Sequence, residues 1–186
     1  IYTNLDFAKN KKIFLAAGRL TKQKNFSYLI NEFANFNKIN KDFILIILGE
    51  GEEKELLNKI IKQKKIEESV FLLGYKNDIY NIMKRSSAFI LSSLWEEMGF
   101  VIIEAAMNNL YVISSDCPNG PKEFLNNGEN GILFSNNIHN SLCKSLVKFS
   151  QAKPEKIFKD KLKLKKNSRK FNKFKHFLKL IDIIEY

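Results

Sequence analysis

Cysteine, histidine, arginine and proline are all scarce here: two, two, three and three residues in a chain of 186. Cys117 and Cys143 lie 26 positions apart and form no CxxC or Cys/His cluster. That argues against a zinc module and against a disulfide-stapled secreted fold, and points to a reducing cytosol. No apolar run approaches the ~18 residues a membrane span needs, and no secretory leader is visible. The chain opens on Ile1 rather than Met, as a segment cut from a longer protein would. There is no GxxxxGK[ST] loop, so this is not a P-loop protein. His139 and His176 stand apart from each other and from the motifs below, and read as surface residues. Cys117 has no histidine near it to activate a thiolate and reads as a loop-packing residue.

What is abundant is lysine, giving a net charge of +11. It is unevenly placed: residues 151–186 hold twelve Lys/Arg against four Asp/Glu, so +8 falls there and only +3 on residues 1–150. The length suits one α/β domain, large enough to bury a core without a metal or disulfide. The composition divides it into a body, 1–150, and a basic tail, 151–186.

Short apolar, β-branched runs recur at 12–17, 43–48, 70–73, 88–91, 111–114 and 131–134. Between them lies helical spacing: Phe26, Leu29, Ile30, Phe33 and Phe36, then Leu56, Leu57, Ile60 and Ile61. Strand–helix alternation with near-continuous apolar strands predicts a doubly wound, Rossmann-like parallel sheet buried on both faces. All eight glycines fall within residues 18–131, and Gly18, Gly49, Gly74, Gly99 and Gly120 follow strand runs. Each alone is an ordinary turn glycine. Together on the carboxyl edge of a parallel sheet, where such folds bind ligands, they predict a binding rim. Beyond residue 150 glycine disappears, and Phe171, Phe174, Phe177, Leu178, Ile181 and Ile184 alternate with lysines. That stripe predicts an amphipathic helix packing on the body or lying on an anionic membrane surface.

Two segments carry chemistry. In the first, Gly18 is followed by Arg19 and Lys24 ahead of the first helix, placing two cations where free N–H groups already favour an anion. Arginine's fork suits bidentate phosphate contact and lysine adds a point charge. Alone, the loop is equally a surface turn with solvated cations. In the second, Glu96 precedes Gly99 and Glu104 follows it by one helical turn. Carboxylates at such places accept hydrogen bonds from the vicinal hydroxyls of ribose and hexose. Either acid alone is accounted for by solvation or by the helix dipole.

The order GRLxxxK, LGEGEE, FLLGY, Glu96 with seven intervening residues to Glu104, SSDCPNGPKEFL and GENGILF resembles the C-terminal half of family 4 glycosyltransferases. The resemblance spans about residues 12–135. It implies the donor-binding lobe of a GT-B fold whose N-terminal acceptor lobe is missing here. It also implies retaining transfer from a uridine-linked nucleotide diphosphate sugar to a glycan or lipid-linked acceptor, with no cofactor and no metal. The lack of a DxD motif agrees with that. By the same resemblance Arg19 and Lys24 meet the diphosphate beside the Gly18 turn, and Glu96 meets the donor sugar. Glu104 meets the ribose, Met98, Gly99 and Phe100 meet sugar or phosphate, and Gly74 with Tyr75 meets the base. Two positions depart from the family pattern. Glu97 and Met98 replace the usual Gly-Phe, which bears on sugar identity, and Asn25 replaces a frequent glycine, which asparagine's tolerance of left-handed backbone accommodates. The expected setting is cytoplasmic, peripheral on the membrane face. Rival readings are a GT-B-like sugar-nucleotide epimerase and a non-catalytic basic binding module. Nucleic acid is not expected as a partner, because the body carries little excess charge.

Overall fold

The computed structural model describes residues 4–97 and 99–169. Among them six strands, β1 (Lys12–Ala17), β2 (Phe43–Leu48), β3 (Val70–Leu72), β4 (Ala88–Leu91), β5 (Tyr111–Ser115) and β6 (Ile132–Phe134), alternate with helices. The helices are α1 (Phe26–Ile39), α2 (Lys54–Lys64), α3 (Ile79–Arg85), α4 (Phe100–Met107), the one-turn α5 (Pro121–Phe124), α6 (Ser141–Ser150) and α7 (Pro154–Ser168). All strand pairs are parallel, in the order β3-β2-β1-β4-β5-β6. Three of the six expected runs coincide with strands, and the others differ by one residue at one end.

Pairing runs in register from Lys12↔Phe43 to Ala17↔Leu48, and every residue of β2 is buried because both faces are covered. Alternate side chains supply the two sides. Phe14, Leu45 and Ile47 pack toward α1 and α6, while Leu15, Ile46 and Leu48 pack toward α3, α4 and α7. Phe14 stacks on Phe43 with ring centroids 4.5 Å apart, and Phe33, Phe36 and Phe149 crowd around that pair. The α1 stripe is buried as its spacing predicts. On α2, Leu57 and Ile61 are buried but Leu56 is exposed, because that helix meets the body along one narrow stripe only.

Asparagine supplies much of the left-handed backbone. Of the seven non-glycine residues with positive φ among those described, six are asparagines, including Asn25 at φ 54°. The expectation that Asn25 would stand in for glycine at the start of α1 therefore holds, since its short amide tolerates this region better than other side chains.

Helix α7 belongs to the packed body. Leu164 is fully buried among α4 and β5 residues, Asp160 is buried beside Tyr111, and the Asn167 side chain donates to the Phe124 carbonyl at 2.7 Å. On its outer side Phe158 and Leu162, one turn apart, are half or more exposed among exposed lysines. The apolar stripe from Phe171 to Ile184, and His176, lie outside the described residues. Among those described, no helix is long and apolar enough to cross a membrane.

Candidate functional site

The chain leaves β1 toward α1 on one face of the sheet and leaves β4 toward α4 on the other. These adjacent strands therefore part company at their carboxyl ends, and such a switch point opens a crevice. A cleft of about 760 Å³ lies there. Its walls bring together Gly18, Arg19 and Lys24 after β1, Glu50 after β2, Tyr75, Lys76, Ile79 and Tyr80 after β3, and Glu96, Gly99, Phe100 and Glu104 after β4.

Close backbone contact builds the floor. The amides of Gly18 and Leu20 donate to the carbonyls of Leu48 and Glu50, and the Gly49 amide donates to Gly74. A Cβ on Gly49, at φ +135°, would stand 1.9 Å from the Gly18 carbonyl oxygen, so only glycine fits. Gly74 thus contributes through its carbonyl beneath the rim rather than as a wall of the cleft.

Arg19 is exposed, and no described residue pairs with it. Lys24 behaves differently. Its Nζ lies 2.6 Å from Glu96 Oε1, with side chains 17% and 8% exposed. The motif reading placed these residues on different parts of a donor; folding joins them across 72 positions. The same Oε1 accepts a hydrogen bond from Ser93 Oγ at 2.5 Å. The loop carrying Glu96 is pinned to the loop carrying Lys24 as well. Ser92 Oγ donates to the Lys24 carbonyl, the Leu94 amide to the Gln23 carbonyl, and Gln23 Nε2 to the Trp95 carbonyl.

Gly99 is left-handed at φ 61° and caps α4, as the sequence predicted. Amides in the first turn of a helix have no intrahelical acceptor, so those of Phe100 and Val101 open onto the cleft they line. Glu104 is the fifth residue of α4, and helical side chains lean toward the N-terminus, which turns its carboxyl back to the cleft. It is half-buried with no partner among the described residues, and that desolvation raises its pKa above the ordinary carboxylate value. Tyr75 is largely exposed at the rim, with Tyr80 beside it in the lining. Met98 lies outside the described residues.

Sequence reasoning missed several lining residues, among them Glu50, Lys76 and Tyr80, and it missed Ser93. An aromatic in the first turn of the helix after a rim glycine was a usable signal for Tyr80; a serine among many serines gave none. His139 is exposed in the loop before α6, away from the cleft. Cys117 is buried, and burial pushes its thiol pKa up, which suits packing rather than nucleophilic chemistry.

Comparison with known proteins agrees with this geometry. Residues 3–171 match the family described as glycosyl transferases group 1. A Campylobacter jejuni protein named N-acetylgalactosamine-N,N'-diacetylbacillosaminyl-diphospho-undecaprenol 4-alpha-N-acetylgalactosaminyltransferase is 33% identical over 171 residues, which is 91% of this chain and 46% of that protein. An uncharacterized glycosyltransferase of Methanocaldococcus jannaschii is 40% identical over 117 residues, 63% of this chain and 29% of its own length. Among solved structures, a mutant of S. aureus TarM in complex with fondaparinux, alpha-GlcNAc-glycerol and UDP superposes with a TM-score of 0.80 at 25% identity, covering 85% of this chain and 32% of that one. The chain thus spans less than half the length of each of these relatives. It belongs to the glycosyl transferases group 1 family, and its six-stranded sheet is a Rossmann-like lobe of the GT-B kind.

Proposed function

We propose that this chain is the donor-binding half of a retaining glycosyltransferase. It takes a UDP-hexose or UDP-N-acetylhexosamine, without a metal ion, and presents it to a glycan or lipid-linked acceptor held by a second lobe. One observation carries this reading. An unpaired arginine, the open N-terminus of α4 and an unpartnered half-buried carboxylate share a single cleft at the switch point of the sheet. Cations and helix amides suit a diphosphate, and the carboxylate suits a ribose diol. The S. aureus neighbour was solved with UDP, and the C. jejuni relative is named for transfer to a diphospho-undecaprenol-linked acceptor.

In this reading Arg19 neutralises charge growing on the leaving diphosphate, an arrangement set before the reaction begins. Lys24 spends one of its three N–H donors on Glu96 and keeps two for a phosphate oxygen. Glu104 accepts from the ribose hydroxyls, and Glu96 accepts from a hydroxyl of the sugar. Transfer requires the second lobe to place the acceptor. The exposed Phe158 and Leu162 of α7, set among lysines, support a further element of the proposal, attachment to the cytoplasmic face of an anionic membrane.

Titration calorimetry tests the core of this. UDP binds with equal affinity in magnesium and in EDTA, and Arg19→Ala weakens it by roughly 1.5–3 kcal/mol, the range of a charge-assisted hydrogen bond. Strict magnesium dependence, or an unaffected Arg19→Ala variant, refutes it.

A further inference from the structure

The Glu96 carboxylate is held more closely than sugar contact alone requires. Oε1 receives both Lys24 Nζ, at 2.6 Å, and Ser93 Oγ, at 2.5 Å. Oε2 has no partner among the described residues. An ammonium is a rotatable point charge, so Lys24 by itself would leave the carboxylate free to swivel and exchange its two oxygens. A hydroxyl on a fixed backbone removes that freedom, and Ser93 is so fixed. It is fully buried, and its carbonyl accepts from Ser115 Oγ at 2.7 Å and from Asn136 Nδ2 at 2.9 Å. Ser115 ends β5 and Asn136 lies just past β6, so the ends of two further strands hold the loop that follows β4. Asn136 keeps this contact even though its own Oδ1 is buried without a partner.

Resting on the function proposed above, we infer that Ser93 is the positioning residue for Glu96: it fixes Oε1 so that Oε2 faces the hydroxyl of the donor sugar, and Ser115 and Asn136 hold Ser93 in place. A polar cluster that served only to close the fold would affect nucleotide and nucleotide sugar alike. A positioning residue acts on the sugar increment alone, and only while Glu96 is present.

The ratio of affinities for a UDP-sugar and for UDP isolates that increment. It is measured by calorimetry with UDP, UDP-glucose, UDP-galactose, UDP-N-acetylglucosamine and UDP-N-acetylgalactosamine, taking the tightest sugar. Ser93→Ala lowers the ratio about five- to tenfold, the scale of one ordinary net hydrogen bond because the contact acts on the sugar only through Glu96, and leaves UDP affinity within about twofold. Ser115→Ala lowers it less, by the indirect route, and serves as the second variant should Ser93→Ala fold poorly. In a Glu96→Ala background Ser93→Ala leaves the ratio unchanged. An unchanged ratio in both single variants, equal losses for UDP and UDP-sugar, or a Ser93 effect that persists without Glu96 overturns the inference. So does a wild-type ratio of one across the panel. Failure of the wild-type chain to bind UDP at all refutes the proposed function itself, a distinct result.

Discussion

Substituting Lys24 by methionine isolates the ion pair at the centre of the cleft. Methionine keeps much of the aliphatic stem that packs under Gly18, where the Lys24 Cγ, Cδ and Cε all come within 3.2–3.3 Å of a notional Cβ. The cation is what disappears. At 2.6 Å between Nζ and Oε1, the attraction is roughly 6 kcal/mol at an effective dielectric constant of about 20, but desolvation of both ions offsets much of it. Removing one partner of a buried pair typically costs about 3–5 kcal/mol, because the remaining charge is stranded. Ser93 still donates to Glu96, so the lower end applies and Lys24→Met destabilises the chain by about 3 kcal/mol. For a chain of this length that is a fall in Tm of roughly 6–12 °C. Adding Glu96→Gln removes the stranded charge and restores stability to within about 1 kcal/mol of wild type, since neutral replacement of a buried pair is often near neutral. Urea denaturation of the four proteins at unchanged m value gives the coupling energy directly. A Lys24→Met cost below about 1 kcal/mol, or a double variant no more stable than Lys24→Met, shows that the pair is solvated and refutes the reasoning.

Burial raises the pKa of Glu104, so the folded state favours its protonated form; its contribution to stability is present below the unfolded pKa and is lost as pH rises through the folded one. Glu104→Gln therefore raises Tm at pH 7, has no such effect at pH 3.5, and weakens UDP binding at pH 7; a variant no more stable at pH 7 contradicts the burial argument. Gly49→Ala drives a methyl group to 1.9 Å from the Gly18 carbonyl and displaces the Arg19 loop, so thermal melts and calorimetry find both stability and UDP affinity reduced. A variant with wild-type affinity would show that the loop gives way freely. The membrane proposal requires the chain to pellet with phosphatidylserine vesicles but not with phosphatidylcholine vesicles, reversibly with salt, and requires Phe158→Ser with Leu162→Ser to abolish pelleting while sparing UDP binding. Both substitutions lie on the outer side of α7 and leave the buried Leu164 in place.

The strand runs were legible because period and length are local. Six consecutive apolar residues at 43–48 admit little besides a strand covered on both faces, and β2 is buried throughout. The rim was legible because a glycine after a strand marks close backbone approach, and Gly49 against Gly18 is such a contact. Gly99 was likewise readable as the start of α4, with Glu104 one turn on. What remained hidden depends on which loops meet. Nothing local in residues 18–24 or 92–96 says that Lys24 pairs with Glu96, or that Ser93 shares the same oxygen. Those contacts exist because β1 and β4 are neighbours in the sheet, although α1, β2, α2, β3 and α3 separate them along the chain. The exposure of Leu56 and the burial of Leu164 were decided in the same way, by what each helix lies against. Periodicity shows that a helix has an apolar face, while tertiary packing determines how wide a face is covered and which charges are left facing each other once water is excluded.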